Sequence, residues 1–301
     1  MTDRVVDVGR DASIRLGDGR VLEYWDGGDP DGQPVLLHPG TPVARGLGRW
    51  AHAAAIEARV RLITISRPGY GGSTRVAPDH GLRAVGGDTA EFAAVLGLRE
   101  YAVAGSSGGG PFAVATAIMA TDAVRALGLI GAIGPWRDLE PATYGTEDRV
   151  CLALADAGDV QGAWDCLYRD VEEGSRRRTP AQAVVDLFRG EVSVVTEDPA
   201  YRLLWLQNMQ SIDAQPAGYV FDNVAWGAAW DVDPREASAP AFLYYGGLDE
   251  HCSPHRHWRW YADRLPRIAE SVVLPDARHV EIIDGHWPEV LAGLLAAWSS
   301  A

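Results

Sequence analysis

The segment that most constrains the fold sets two serines and four glycines between two apolar runs, Val103-Ala104-Gly105-Ser106-Ser107-Gly108-Gly109-Gly110-Pro111. The run before it predicts a short strand, and the alanine-rich stretch after it predicts a helix. Gly105, Ser107 and Gly109 match the pattern G-x-S-x-G, in which the glycines let a strand and a helix crowd together around a strained bend. The segment therefore predicts a strand–turn–helix unit that exposes the hydroxyl of Ser107 at the edge of a sheet.

Other interpretations of this segment are weaker. Ser106 does not fit the pattern, because its flanking positions would be Ala104 and Gly108. No lysine follows the glycines, which excludes a Walker phosphate loop, and the dinucleotide pattern G-x-G-x-x-G would need a glycine where Ala113 stands. A glycine-rich structural turn with an incidental serine stays open as the alternative.

Short apolar runs alternate with helical patterns through the first half of the chain and again near its end. Strands are predicted near 34–38, 61–66, 101–104, 124–133, 240–246 and 270–274, and helices near 43–58, 86–97, 111–120, 254–265 and 287–298. An Asp-Gly turn between 13–16 and 20–25 predicts an added β-hairpin. This alternation predicts an α/β fold with a mostly parallel central sheet of about eight strands flanked by helices.

The alternation stops between Pro135 and about Pro234, where helical segments follow one another without clear strands. A helical insert inside an α/β sheet predicts a lid over the carboxyl edge of the strands, where such folds place their sites. We therefore expect a core formed by residues 1–134 and 235–301 and an inserted helical cap formed by residues 135–234.

The net charge, the apolar runs and the cysteines limit which binding partners and which cellular location are expected. The 301 residues carry a formal net charge of −14, which argues against binding to nucleic acid or to an anionic membrane. The amino terminus shows no signal-peptide pattern, and no apolar run is long enough for a membrane-spanning helix. The three cysteines, Cys151, Cys166 and Cys252, are widely spaced and predict neither a disulfide framework nor a zinc site. These features predict a cytoplasmic protein.

Four further motifs, together with the serine segment, resemble the α/β-hydrolase fold superfamily over nearly the whole chain apart from the cap. One is similar to an H-G-x-P oxyanion loop and one to a D-x-P-G-x-G-x-S turn, with Arg67 close to the usual Asp position. The others are similar to a G-x-x-D…P acid loop and to the loop that carries a catalytic histidine. In chain order they are His38-Pro39-Gly40-Thr41-Pro42, Ser66-Arg67-Pro68-Gly69-Tyr70-Gly71-Gly72-Ser73, Gly246-Gly247-Leu248-Asp249 with Pro254, and Leu274-Pro275-Asp276-Ala277-Arg278-His279.

The resemblance implies a catalytic triad in the order Ser107, Asp249, His279. A serine hydroxyl needs an imidazole to remove its proton, and a carboxylate then orients the imidazole and stabilises its charged form. His286 is the main rival of His279, and Asp138 is the fallback acid.

The remaining histidines near the acid loop, His251, His255 and His257, are expected at the surface or in contact with the cap.

Two backbone N–H groups, those of Thr41 and Gly108, are the predicted oxyanion-hole donors. The three glycines after Ser107 depart from the larger residue common in the superfamily, which predicts a more open or more flexible floor; Arg67 is expected to be structural. His38, Trp136 and Met209 are the candidate substrate-pocket residues, although tryptophans in a cap also serve its core.

The resemblance implies a serine hydrolase without cofactor or metal, which cleaves a small, fairly apolar ester, thioester or lactone through an acyl-enzyme. Alternatives on the same triad are a C–C bond hydrolase, a perhydrolase-type enzyme, and an aminopeptidase acting on a terminal proline. The aminopeptidase would need acidic cap residues, for which Glu147, Asp148, Asp156 and Asp159 are available. A ligand receptor or a non-hydrolytic biosynthetic cyclase could keep the fold. The expected partner is a small-molecule substrate, and a homo-oligomer stays open.

Overall fold

A central sheet organises the protein in the computed structural model, which describes residues 9–138, 146–187 and 194–301. Within these residues, eight strands lie in the spatial order β1-β2-β4-β3-β5-β6-β7-β8. The strands are β1 (Arg10–Arg15), β2 (Val21–Gly28), β3 (Gln33–His38), β4 (Val60–Ile65), β5 (Tyr101–Ser106), β6 (Val124–Ile130), β7 (Ala241–Gly246) and β8 (Ile268–Leu274).

The six strands from β4 to β8 in this order run parallel, and β1 and β2 form an antiparallel hairpin at one edge. Strand β5 is buried along its whole length, as expected for a strand covered on both faces. The register pairs His38 with Gly105 and Ser106 with Ile130, so the carboxyl ends of β3, β5 and β6 lie side by side. The predicted fold class, a mostly parallel sheet of eight strands, is confirmed.

Helices cover both faces of the sheet and bury its apolar side chains. One face packs against α1 (His52–Glu57) and α11 (Trp287–Ser299), where Leu291 and Leu294 have no exposed surface. The other packs against α2 (Gly81–Val95) and α3 (Gly110–Met119), with α10 (Arg259–Ala262) beside them. The predicted helix over 254–265 differs in detail, because α10 is a single turn that follows a π-helical turn at Pro254–Trp258.

The segment between β6 and β7 is helical, as predicted for the cap. Its described helices are α4 (Thr146–Asp156), α5 (Val160–Arg177), α6 (Pro180–Leu187), α7 (Val194–Glu197), α8 (Pro199–Ala214) and α9 (Ala217–Gly227). Helix α8 packs on Val43, Leu47 and Val280 of the core, and α9 packs on Phe112. The cap therefore covers the loops that follow β3 and β8 and the first turn of α3, and its boundaries at 135 and 234 stay a prediction.

The expectation about the cysteines is wrong for one pair. Cys151 on α4 and Cys166 on α5 form a disulfide, with their Cα atoms 5.5 Å apart, while Cys252 is free and buried. Two antiparallel helices bring these residues together, although 15 positions separate them in sequence. Disulfides persist mainly in oxidising compartments, so this bond does not favour the predicted cytoplasmic location. None of the described helices is both long and apolar enough to cross a membrane.

Candidate active site

The turn that follows β5 holds Ser107 in the left-handed region of backbone space, with a φ of 46°. Residues other than glycine adopt this conformation rarely, and such strain concentrates at functional sites. A Cβ atom on Gly105 would collide with the carbonyl group of Gly109, and one on Gly109 would collide with the carbonyl group of His38. Strand β5 and helix α3 therefore approach as closely as the G-x-S-x-G pattern predicts, and Ser107 stands at the bend between them.

Three side chains from three separate loops meet at this bend. His279 Nε2 lies 2.9 Å from Ser107 Oγ, and His279 Nδ1 lies 2.6 Å from Asp249 Oδ2. Asp249 follows β7 and His279 follows β8, so parallel strands deliver both residues to the same edge of the sheet as Ser107. The structure thus brings together the three residues that the resemblance assigned to a triad.

The surroundings of Asp249 keep its carboxylate charged. Its Oδ1 accepts hydrogen bonds from the backbone N–H groups of His251, at 2.8 Å, and Cys252, at 2.7 Å. Burial alone would raise the pKa of Asp249, but the charge and hydrogen bond of His279 and the Cys252 N–H outweigh it and hold the pKa below its usual value. An ionised Asp249 accepts the Nδ1–H of His279, which leaves the Nε2 lone pair facing Ser107.

The alternative acid and base, Asp138 and His286, have partners other than Ser107. Asp138 accepts a hydrogen bond from Trp260 Nε1 at 2.7 Å and pairs with Arg264. His286 precedes α11, and its Nδ1 lies 4.0 Å from a carboxylate oxygen of Glu289. Both residues are engaged away from Ser107, so the geometry favours Asp249 and His279 over them.

Two other histidines near the acid loop, His251 and His257, differ in their exposure to solvent. His251 is exposed, and its ring centroid lies 5.1 Å from that of His279. His257 has no exposed surface and accepts a hydrogen bond from the Gly134 N–H at 2.9 Å, so of its two expected places, the surface or a contact with the cap, the surface is wrong. Burial lowers the pKa of His257 to about 4, which keeps this ring neutral.

Cys252 is the second nucleophilic side chain beside the serine. Burial and the charge of Asp249 raise the pKa of its thiol well above the usual value, although a hydrogen bond with Ser107 acts in the opposite direction. A neutral buried thiol is a poor nucleophile, so Cys252 does not compete with Ser107.

The predicted oxyanion-hole residues lie on facing backbone segments next to the serine. A Cβ atom on Gly40 would lie 3.2 Å from Ser107 Cβ, which shows that the loop after β3 touches the bend. A Cβ atom on Gly108 would lie 3.3 Å from the Thr41 nitrogen and would overlap Thr41 Oγ1. The space next to Gly108, which the sequence predicted to be open, is therefore filled by the Thr41 side chain.

A buried ion pair that the sequence analysis missed lies behind this loop. Arg67 Nε donates to Asp222 Oδ1 at 2.8 Å and Arg67 Nη2 donates to Asp222 Oδ2 at 2.5 Å, and both side chains have no exposed surface. Burial alone would lower the pKa of Arg67, but the Asp222 charge and hydrogen bonds raise it above the usual value. The sequence feature that could have indicated a buried ion pair is the carboxylate of Asp222 within the apolar stretch that forms α9.

The candidate pocket residues have different places. His38 has no exposed surface, packs on Phe112, and places Nε2 3.1 Å from Thr116 Oγ1, which makes it part of the core rather than a pocket wall. Burial lowers the pKa of His38 to about 3. Trp136 and Met209 are buried in two different apolar clusters, between core and cap.

In the part of the chain that the structure describes, surface cavities beside the cap include two that are not lined by Ser107, Asp249 or His279. One of about 470 Å³ lies between α8 and residues 43–49, and one of about 530 Å³ lies around Trp230 and Trp260. Among the described residues, no group of three or more His, Cys, Asp or Glu side chains is arranged to hold a metal ion.

Similarity to known proteins agrees with this architecture. A model of the alpha/beta hydrolase fold matches residues 33–286. A non-heme haloperoxidase from Rhodococcus erythropolis is 31% identical over 123 residues, which are 40% of this chain and 44% of that protein, so the match spans less than half of that relative.

Solved structures of two esterases share the fold at low identity. An esterase from Exiguobacterium antarcticum superposes with a TM-score of 0.70 and 20% identity, covering 96% of this chain and 99% of that one. A thermophilic esterase from Thermogutta terrifontis superposes with a TM-score of 0.69 and 21% identity, covering 97% and 98%. Together with the sheet order and the serine turn, the family match establishes that this chain belongs to the α/β-hydrolase fold family of enzymes.

Proposed function

We propose that the protein is a serine hydrolase that cleaves a small, fairly apolar ester, thioester or lactone through an acyl-enzyme on Ser107. The observation that carries the proposal is the hydrogen-bonded series from Ser107 Oγ to His279 Nε2, at 2.9 Å, and from His279 Nδ1 to Asp249 Oδ2, at 2.6 Å. These distances lie within the range that a nucleophile, a base and its orienting acid need.

In the acylation half-reaction, Ser107 Oγ attacks the carbonyl carbon of the substrate while its proton passes to His279 Nε2. The carbonyl oxygen becomes an oxyanion, which accepts hydrogen bonds from the N–H groups of Thr41 and Gly108. The tetrahedral intermediate then collapses, the bond to the leaving group breaks, and His279 donates the proton to the departing alkoxide or thiolate. The acyl group stays on Ser107 as an ester.

The deacylation half-reaction repeats these steps with water. His279 Nε2 takes a proton from water, the hydroxide attacks the acyl carbon, and the oxyanion forms in the same place. Collapse breaks the bond to Ser107 Oγ, which recovers its proton from His279. The carboxylic acid leaves, and the charge of Asp249 stabilises the imidazolium in both halves.

The apolar preference rests on two hydrophobic clusters, each of which contains a residue close in sequence to a triad residue. One contains Val280, next to His279 in sequence, with Trp205 and Met209 of the cap. The other contains Cys252, in the Asp249 loop, together with Ile133 and Trp136. Apolar side chains that adjoin the Asp249 and His279 loops favour an apolar acyl or alcohol group over a charged one.

The aminopeptidase alternative loses support, because acidic cap residues have other partners. Asp156 pairs with Arg137 at 2.6 Å, and Asp159 caps α5 by accepting a hydrogen bond from the Gly162 N–H at 2.9 Å. The side chains of Glu147 and Asp148 lie outside the described residues. Two of the four candidate partners for a substrate amine are thus engaged in the cap itself.

Perhydrolysis is the second candidate, and the similarity to a protein named non-heme haloperoxidase favours it. The acyl-enzyme would react with hydrogen peroxide in place of water and release a peroxycarboxylic acid. No step before the acyl-enzyme changes, so both activities depend on Ser107.

The test compares Ser107→Ala with Ser106→Ala on short p-nitrophenyl esters, thioesters and lactones, with and without hydrogen peroxide. We expect Ser107→Ala to abolish turnover while circular dichroism stays unchanged, and Ser106→Ala to keep most of it. A fluorophosphonate probe should label Ser107 alone, as located by peptide mass spectrometry. Full activity in Ser107→Ala, or labelling of Ser106, would refute the proposal. Saturable ligand binding without hydrolysis of any of these substrates would instead favour a receptor or a non-hydrolytic cyclase.

A further inference from the structure

The buried ion pair between Arg67 and Asp222 touches the oxyanion loop at three consecutive residues. Arg67 donates to the carbonyl oxygen of Pro39 through Nη1 and lies 3.4 Å from the carbonyl oxygen of Gly40 through Nη2. Asp222 Oδ2 accepts a hydrogen bond from the Thr41 hydroxyl at 2.7 Å. A single ion pair therefore contacts the backbone of residues 39 and 40 and the side chain of residue 41.

This arrangement determines where the Thr41 N–H points. The Gly40 carbonyl oxygen accepts a hydrogen bond from the Val43 N–H at 2.8 Å, in addition to its contact with Arg67. In a trans peptide unit the C=O and N–H bonds point in opposite directions. Holding the Gly40 carbonyl on the side of Arg67 therefore turns the Thr41 N–H to the opposite side. On that opposite side, the Thr41 nitrogen lies next to Gly108, the residue that follows Ser107.

The Thr41 hydroxyl reaches Asp222 through space that residue 108 leaves free. A Cβ atom on Gly108 would overlap Thr41 Oγ1, so any side chain at this position would displace the hydroxyl. Gly108 thus leaves room for the Thr41 hydroxyl, and Asp222 of the cap accepts the hydrogen bond of that hydroxyl.

Asp222 itself is held rigidly, because α9 is docked on the core. A Cβ atom on Gly69, which has a φ of 84°, would lie 2.8 Å from the Gly218 nitrogen, so the turn after β4 and the first turn of α9 are in backbone contact. The Tyr70 hydroxyl donates to Asp222 Oδ2 at 2.8 Å. The guanidinium of Arg67 also stacks on Phe112, with its carbon 4.9 Å from the ring centroid.

We propose that Asp222 and Arg67 are positioning residues that aim the Thr41 N–H at the oxyanion, so that the cap helix α9 completes the oxyanion hole through the Thr41 hydroxyl. This inference rests on the proposed function. Because the two charges neutralise each other, the pair acts on the reaction by placing a backbone donor and not by adding a charge beside the oxyanion.

The test removes the Thr41 hydroxyl, which links the loop to Asp222 of the cap and lies 3.4 Å from Arg67 Nη2. Thr41→Val replaces the hydroxyl by a methyl group of similar size, and Thr41→Ser keeps the hydroxyl. We expect Thr41→Val to lower kcat on a p-nitrophenyl ester about 10- to 100-fold, with KM within about twofold, because an oxyanion donor acts in the transition state. The rate of fluorophosphonate labelling of Ser107 should fall in parallel, and Thr41→Ser should restore most of both rates.

Two matched variants separate positioning from stability. Thr64→Val makes the same change at a fully buried β4 residue whose hydroxyl has no hydrogen-bond partner among the described residues, so kcat should not change. Thr89→Val makes the same change in α2 and removes a buried hydrogen bond to the Val85 carbonyl, so it should lower the melting temperature with kcat kept.

Three results of these measurements would contradict the positioning role of Arg67 and Asp222. Equal kcat in Thr41→Val and Thr64→Val would overturn this inference and leave the serine hydrolase intact. Equal kcat losses in Thr41→Val and Thr89→Val, or a Thr41→Ser enzyme as slow as Thr41→Val, would do the same. A wild-type protein without Ser107-dependent turnover would overturn both proposals.

Discussion

Asp284 provides a quantitative test of the electrostatics between core and cap. It lies in a π-helical turn before α11 and is 3% exposed. The Tyr201 hydroxyl of α8 donates to its carboxylate, and the Trp50 indole N–H donates to its backbone carbonyl at 3.1 Å. Burial raises the pKa of Asp284 to about 7, although Tyr201, Trp287 and His279 all act to lower it. We expect Asp284→Asn, which removes the titration and keeps the shape, to change how stability depends on pH.

The sign follows from proton binding. Between the ordinary pKa of 3.8 and the folded value of about 7, the folded protein holds a proton on Asp284 that the unfolded chain has lost. The contribution of Asp284 to stability is therefore fully present at low pH and is lost as the pH rises through this interval. Asp284→Asn has no such loss, so its advantage over the wild type should grow with pH.

The magnitude follows from the size of the shift. A difference of one pKa unit corresponds to about 1.4 kcal/mol, so the shift from 3.8 to about 7 corresponds to about 4 kcal/mol at most. Between about pH 5 and about pH 8 the linkage relation leaves about 2 to 3 kcal/mol of this change. The pKa values of His38 and His257, lowered to about 3 and about 4, make acid destabilise both proteins equally and cancel in the comparison.

The measurement is the free energy of unfolding in urea for wild type and Asp284→Asn across this pH range. The difference between the two proteins should rise with pH in favour of the variant. Asp122→Asn is the matched control, because its carboxyl is exposed, and its difference from wild type should stay constant. An Asp284→Asn difference that is flat or falls with pH would refute the reasoning.

Two further predictions concern the triad and the cap. Asp249→Asn should lower kcat about 10³- to 10⁴-fold, because an amide cannot fix the His279 tautomer, while Asp138→Asn should stay within about twofold; a larger loss in Asp138→Asn on ester hydrolysis would contradict the acid assignment. Replacing Cys151 and Cys166 by serine should lower the free energy of unfolding by about 3 kcal/mol for a 15-residue loop, and reductant should do the same to wild type. Three free thiols in the unreduced, denatured wild type would exclude the disulfide.

Local patterns predicted most of the core. Strands β3 to β8 and helix α3 were readable because alternating apolar runs and glycine punctuation depend on residues close in sequence. The position of Ser107 followed from the same kind of signal, since a tight strand–helix bend demands glycines at set offsets. The family match over residues 33–286 confirms the resemblance that these motifs suggested.

Local patterns could not predict which distant residues would become neighbours. The partner of Cys151 depends on how α4 and α5 turn back on each other, and a spacing of 15 positions carries no such information. His257 was expected at the surface or in contact with the cap because it lies near the acid loop and the start of the next helix, yet tertiary packing removed it from the surface and placed it against Gly134.

The sequence by itself determined the α/β core and the bend that carries Ser107, because both depend on residues that are neighbours along the chain. Its resemblance to the α/β-hydrolase superfamily predicted the chain order Ser107, Asp249, His279. Only the tertiary structure decided that Arg67 would meet Asp222 across 155 positions and that Thr41 would meet the same carboxylate across 181. The physical reason is that burying a charge is costly without a partner, and the partner is found by packing the cap on the core and not by any local pattern.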